Sequence, residues 1–350
     1  MTAGPGDAPG AAAVEVKPAA PPVQGPGRVR FDWRIVPVVL VTVGFMVVLV
    51  RQLAGTESFY AALRETQWGL VGVVLALLGA TMLLATVRWL LILDTLGYRV
   101  PALRALHAML ATWPLALVTP ARASDLLRGV ALRDLVPPFI GAGSVLAEKA
   151  IDVQSLCLMT IVGTLLYDLP AAAALAAGLL IAEWCVILVL VRKRELIGRL
   201  PLLRRKPEKA EQLLLAFAAL LRRPWRLVLA AVSSLMSWTA STAMVYTMLV
   251  MTHAEVGIAP TLALWPAGVL AGMVPITLAG MGTRDVAFIY LLRLSGWTPI
   301  REGALLASTI GYSMFGTVLL AVIGIPFTVQ FVVRLRQSAP EPPPPPELKS

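Results

Sequence analysis

Val274 to Tyr290 reads VPITLAGMGTRDVAFIY, an apolar stretch that interrupts itself. It meets Pro275, loosens through Gly280 and Gly282, sets Arg284 beside Asp285, and then turns apolar again. Proline removes a backbone donor and glycine weakens a helix, so one helix is expected to end here and another to begin. The flanking arms, about 260–274 and 286–294, rise only 1.5 Å per residue and fall short of a hydrocarbon core roughly 30 Å thick. Two short arms with charges at their turn fit a re-entrant hairpin, which goes in and comes back on one side.

The rest of the chain makes a membrane the natural solvent for such a hairpin. Of 350 residues, 58% are hydrophobic and 14% charged, with a mean hydropathy of +0.78. Soluble domains are nearer 45–50% apolar and about 25% charged. Full spans are expected at about Ile35–Leu53, Trp68–Leu93, Ile140–Tyr167, Ala171–Val191, Leu227–Met251 and Gly303–Val333. The fold class is therefore all-α, a polytopic helical membrane protein with about six full spans.

A second interrupted segment precedes the third of these spans. LRALHAMLATWPLALVTPARASDLLRGVALRD, Leu103 to Asp134, has a short apolar arm, a polar knot from Pro120 to Asp125, and a short amphipathic return. It too is predicted to be re-entrant. Counting spans between the two hairpins places them on opposite faces, an inverted arrangement of broken helices found in transporters, with binding near the midplane. Irregular backbone survives at that depth only inside protein or beside a water-filled cavity.

Charge distribution gives the orientation. Between Arg192 and Arg226 stand eleven Lys or Arg and three acids, a net +8 within a chain of net +10. Basic charge gathered between spans indicates a cytoplasmic loop lying against anionic inner-leaflet lipids rather than a nucleic-acid surface. With Arg28, Arg30 and Arg34 ahead of the first span, both termini are predicted cytoplasmic in a multi-pass cell-membrane protein. Residues 1–30, rich in Pro, Gly and Ala, and the Pro-rich 336–350 read as disordered tails around an integral membrane domain at 31–335. The basic loop, 192–226, contains an amphipathic helix near Glu208–Leu221, expected along the membrane surface.

Several ionisable residues then fall at membrane depth: Arg122, Asp125 and Arg128 in the first break, Glu148, Lys149 and Asp152 in LAEKAIDV, and Arg284 and Asp285 in the second break. Each unpaired charge at a helix centre costs about 2.5–3.5 kcal/mol, so half a dozen would cost roughly 15–20 kcal/mol. They must pair, hydrate or lie shallow. Glu148 and Asp152 are four apart and share a helix face. Arginine offers a planar fork suited to phosphate. Arg122, Arg128 and Arg284 are thus the candidate headgroup-binding residues. Asp125, Glu148, Asp152 and Asp285 are candidate supporting or proton-exchanging carboxylates, and Pro120, Pro275, Gly280 and Gly282 the hairpin breaks. The structural alternative is a salt-bridge network that only pins the hairpins. Arg88-Trp89 reads as an interfacial anchor, and Glu183 is an ambiguous lone acid.

No phosphate loop, G-x-S-x-G or H-E-x-x-H occurs. Cys157 and Cys185 sit in apolar runs, and His107 and His253 are far apart. Neither catalytic residues nor a cofactor or metal is expected.

In these charged elements the sequence resembles the lysylphosphatidylglycerol synthase transmembrane-region family of flippase-like membrane proteins. The likeness runs from about Trp68 to Val333 through four elements in order: Arg88-Trp89 in VRWLLILDTLG, PARASDLLR from Pro120 to Arg128, EKAID from Glu148 to Asp152, and AGMGTRD from Ala279 to Asp285. Ser124 and Ala279 stand where the family has glycine, Asp125 and Asp285 where it has glutamate, and Lys149 where it has arginine. Lysine cannot grip bidentately, which bears on headgroup identity. The resemblance implies translocation of a membrane lipid with an anionic headgroup, phospholipid or polyprenyl-phosphate-linked glycolipid. In the family's aminoacylating members the transferase activity resides in a separate soluble domain after the membrane region, which this chain is expected to lack; with no catalytic motif either, it is not expected to be an enzyme. Two other readings remain: an accessory scaffold for an envelope-synthesis enzyme, and a membrane transferase acting on lipid-linked substrates.

Overall fold

The computed structural model describes residues 57–117, 119–193, 207–274, 280, 282–297 and 302–337. The first predicted span, the N-terminal tail, residues 194–206 of the basic loop, Pro275 and the C-terminal tail after Gln337 lie outside them. The described residues are helical throughout, without strands.

Five helices are long and apolar enough to cross a membrane: Trp68–Thr95, Pro138–Leu166, Pro170–Arg192, Pro224–Met251 and Gly303–Leu335. Each coincides with a predicted span to within a few residues. In chain order the elements are α1 (Glu57–Arg64), α2 (Val71–Thr95), α3 (Ala102–Ala116), α4 (Leu127–Ala131), α5 (Pro138–Leu166), α6 (Pro170–Arg192) and α7 (Pro207–Arg222). Then come α8 (Pro224–Met251), α9 (Ile258–Gly272), α10 (Thr283–Leu294), α11 (Glu302–Ser313) and α12 (Leu320–Gln337). A π-helical turn, Met314–Leu319, joins the last two without a break.

Helices α2 and α8 form the antiparallel spine. Arg226 pairs with Asp94 at one end, Ser233 Oγ donates to the Leu84 carbonyl at 2.9 Å in the middle, and the Gln67 N–H donates to the Met251 carbonyl at 2.9 Å at the other. That register defines two ends of the molecule, one carrying Asp94 and Arg226, the other Gln67 and Met251.

Both interrupted segments fold as helical hairpins. In the first, α3 runs inward for 15 residues, about 22 Å, and gives way to a 3₁₀ turn over Pro120–Leu126. The chain then returns through α4. Ser124 Oγ lies 3.5 Å from the Thr112 carbonyl near the tip, and Arg104 pairs with Asp134 at the base. In the second, α9 runs inward, also for 15 residues, and α10 returns beside it. A Cβ on Gly268 would stand 3.2 Å from Phe288 Cβ, and one on Gly272 would stand 2.9 Å from Arg284 Cβ. At its base a Cβ on Gly257 would come within 3.9 Å of the Trp297 ring.

The first base follows the Asp94 end of α2 and the second follows the Met251 end of α8, so the hairpins enter from opposite ends. The break residues explain the tip of the second. Gly280 has φ +74°, and a Cβ there would lie 2.5 Å from the Gly272 carbonyl oxygen. Only glycine fits that conformation at that approach.

Helix α7 departs from its predicted surface position. Its buried Ala216 and Leu220 pack with Ile92, Ala147, Ile151 and Ala230, so its apolar stripe faces the bundle instead of lipid.

Candidate functional site

Midway along the spine, α2, α3, α5, α8 and the α11–α12 junction surround a half-open cavity of about 130 Å³. Its charged lining is Arg88, Arg128 and Lys149 against Asp125, Glu148 and Asp152, a balanced set.

Glu148 is the hub. It is 1% exposed. One carboxylate oxygen accepts from Arg88 Nη2 at 2.9 Å, and the other lies 3.0 Å from Arg128 Nη2. Arg88 reaches on to Asp152, its Nη2 3.1 Å from Oδ2 and its Nη1 3.0 Å from Oδ1. Asp152 Oδ1 also accepts from Ser234 Oγ at 2.8 Å and from the Trp238 indole at 3.0 Å. The spacing of four between Glu148 and Asp152 thus lets one guanidinium bind both. This part of the network fastens α2, α5 and α8 to one another.

A second part fastens the first hairpin to α5. Arg128, from α4, pairs with Glu148, directs its Nε to the Asp125 carbonyl at 3.2 Å, and covers the Trp89 ring at 5.2 Å. Lys149 Nζ meets Asp125 Oδ2 at 2.7 Å. The two ion pairs differ in wetness. Both side chains of Arg128–Glu148 are at most 3% exposed, whereas Lys149 is 40% exposed. Glycine makes the docking close: a Cβ on Gly129 would lie 2.4 Å from the Ala142 nitrogen of α5.

The start of α10, at the tip of the second hairpin, forms a separate cluster. Asp285 accepts the Gly282 N–H at 3.0 Å, capping the first turn of α10, where a carboxylate also complements the helix dipole. Its other oxygen holds Arg284 Nε at 3.1 Å. The Arg284 guanidinium lies 5.1 Å from the Trp265 ring centroid and 4.6 Å from that of Tyr312, and donates from Nη2 to Ser313 Oγ at 2.6 Å. The ion pair at the break therefore rebuilds the helix end that the glycines open. Arg284 and Asp285 do not line the cavity; Tyr312 does, and its hydroxyl lies 2.8 Å from Ser241 Oγ, another lining residue.

Among the predicted site residues, Asp125, Arg128, Glu148 and Asp152 come together, while Arg284 and Asp285 are grouped behind Tyr312. Pro120 opens the 3₁₀ turn, and Gly280 and Gly282 take φ of +74° and +90°. The side chain of Arg122 lies outside the described residues. Arg88 corrects its sequence reading: it is 2% exposed, central to the network and not an interfacial anchor. Its apolar run continues through Leu93, a signal that it sits well inside the span. Trp238, Ser234 and Tyr312 gave no signal.

Residues 35–324, well over half the chain, match the family model described as Lysylphosphatidylglycerol synthase TM region. Comparison with curated proteins returned no match. The chain is a multi-pass membrane protein and belongs to the lysylphosphatidylglycerol synthase transmembrane-region family.

Proposed function

We propose that this protein moves a lipid with an anionic, phosphate-bearing headgroup across the cell membrane, the headgroup passing through the charged cavity while the hydrocarbon tail stays in the bilayer. A phospholipid or a polyprenyl-phosphate-linked glycolipid meets that description. Since the tail never leaves oil, the barrier is chiefly headgroup dehydration, and fixed opposite charge lowers it.

The observation that carries this reading is Lys149: a half-exposed cation, halfway along the spanning helices, at the wall of a cavity and held by one carboxylate. A phosphate can replace Asp125 on Lys149 without leaving either cation bare. That exchange unfastens the wetter of the two ties between the first hairpin and α5, while Arg128–Glu148 holds the buried one. Arg284 acts at one remove, setting Tyr312 against the cavity. The strongly basic end, with Arg99, Arg104, Arg133, Arg226 and Arg334, faces the cytoplasm by the positive-inside rule.

The test is transbilayer movement of fluorescent phosphatidylglycerol in proteoliposomes. Wild type is expected to exceed protein-free vesicles clearly, Lys149→Ala to slow movement at least tenfold while still unfolding cooperatively, and Lys149→Arg to retain most of it. Wild-type movement at the vesicle background, or a Lys149→Ala protein as fast as wild type, overturns the proposal.

A further inference from the structure

A second cleft lies on the opposite face of α3 from the cavity. Met109, Thr112 and Trp113 of that helix line the cavity, whereas Arg104, His107, Ala108 and Ala111 line the cleft. The far wall is the last turns of α12, with Phe327, Phe331 and Arg334. It opens beside a basic recess of about 320 Å³ between the base of the first hairpin and α12, where, among the described residues, Arg104, Arg133 and Arg334 gather around one carboxylate, Asp134.

The wall is aromatic and ordered. His107 stacks on Phe327 with ring centroids 4.7 Å apart, Phe331 is buried, and Thr328 Oγ1 donates to the Ala111 carbonyl at 2.8 Å. Arg133 Nη2 donates to the Arg334 carbonyl at 2.8 Å, tying hairpin to helix, and Arg104 pairs with Asp134. Among the described residues that line the recess, three guanidinium groups stand against one acid. The recess lies at the end of the molecule that carries the other basic residues, where acidic lipids collect.

We infer that this cleft is a binding site for an acidic phospholipid, distinct from the cavity. The phosphodiester lies among Arg104, Arg133 and Arg334, whose forks suit it, and the start of an acyl chain lies along Phe327 and Phe331. A free phosphate would leave that aromatic wall unused. A lipid wedged there braces the first hairpin against α12 from behind, on the face of α3 that the cavity does not use. The site stands whether or not the cavity transports lipid, because its readout is binding.

The experiment is thermal unfolding and native mass spectrometry of the full chain with phosphatidylglycerol, phosphatidylcholine or inorganic phosphate. One surface arginine contributes about five-fold in affinity for an acidic membrane lipid. Phosphatidylglycerol is expected to raise the wild-type melting temperature more than phosphatidylcholine does, and phosphate at equal concentration to leave it unchanged. Arg133→Gln/Arg334→Gln is expected to weaken phosphatidylglycerol retention about 25-fold, and Arg133→Lys/Arg334→Lys to keep most of it. If the glutamine pair does not fold, Arg334→Gln alone, at an exposed position, is expected to weaken retention about five-fold. Equal retention of both lipids, undiminished phosphatidylglycerol retention in the folded glutamine variant, or an equal response to phosphate would overturn the inference.

Discussion

Replacing Glu148 by glutamine removes the charge that two buried guanidiniums share. Arg88 keeps Asp152, with contacts of 3.0 and 3.1 Å. Among the described residues, Arg128 keeps the Asp125 carbonyl at 3.2 Å and the face of Trp89. The uncompensated charge therefore falls on Arg128, which is 3% exposed. Removing one partner of a buried pair costs about 3–5 kcal/mol, and the glutamine carbonyl still accepts one hydrogen bond. The lower end, about 3 kcal/mol, is expected. At an unfolding entropy of about 2.1 cal/mol/K per residue, that lowers the melting temperature of a chain this size by about 4 °C. Tryptophan fluorescence in lipid nanodiscs reads the transition. In Glu148→Gln/Arg128→Gln the bare cation is gone, so the pair should be about 2 kcal/mol less costly than the two single changes added together. A Glu148→Gln protein melting within about 1 °C of wild type, or costs that add to within about 0.5 kcal/mol, would refute the shared-charge account.

Three further outcomes follow from other parts of the structure. Gly280→Ala places a Cβ 2.5 Å from a carbonyl at φ +74°, so a loss of at least about 2 kcal/mol is expected in the same unfolding assay; wild-type stability would contradict the tip geometry. Arg284→Lys keeps the charge but loses the fork that reaches Asp285 and Ser313 from between two rings. A loss of about 1–2 kcal/mol with altered tryptophan emission from Trp265 is expected, and an unchanged spectrum and melting point would count against the sandwich. With Cys157 and Cys185 replaced, Arg99→Cys and Glu255→Cys, both in exposed loops next to the hairpin bases, should react with an impermeant thiol reagent from opposite sides of the membrane. Reaction from one side alone would contradict the inverted arrangement.

Spans and hairpins were legible in the sequence because membrane thickness imposes a length test that segments such as 103–134 and 260–294 fail. Glu148 and Asp152 were legible because four-residue spacing fixes a common face. Arg88 was misread because its partners are 60 and 64 positions away; the apolar run that continues past it to Leu93 places it inside the span but does not say what it pairs with. Trp238 and Ser234 look like ordinary span residues until Asp152 is seen beside them. The grouping of Arg284 behind Tyr312 depends on how α9, α10 and α11 pack, which charge counting along the chain does not contain. The amphipathicity of α7 announced a buried face without saying whether lipid or protein buries it.

On the proposed function, a lipid headgroup enters the cavity lined by Lys149, Asp125 and Tyr312. Photo-crosslinking in native membranes tests it directly, with a photoreactive residue placed at Ser237 or Ser241 on the cavity wall and, for comparison, at Leu175 on the outer face of α6, 77% exposed. The cavity positions are expected to capture a phosphate-containing lipid through its headgroup, identified by mass, and Leu175 to capture only hydrocarbon chains. Capture of no headgroup from the cavity, or the same adducts from all three positions, would contradict the claim.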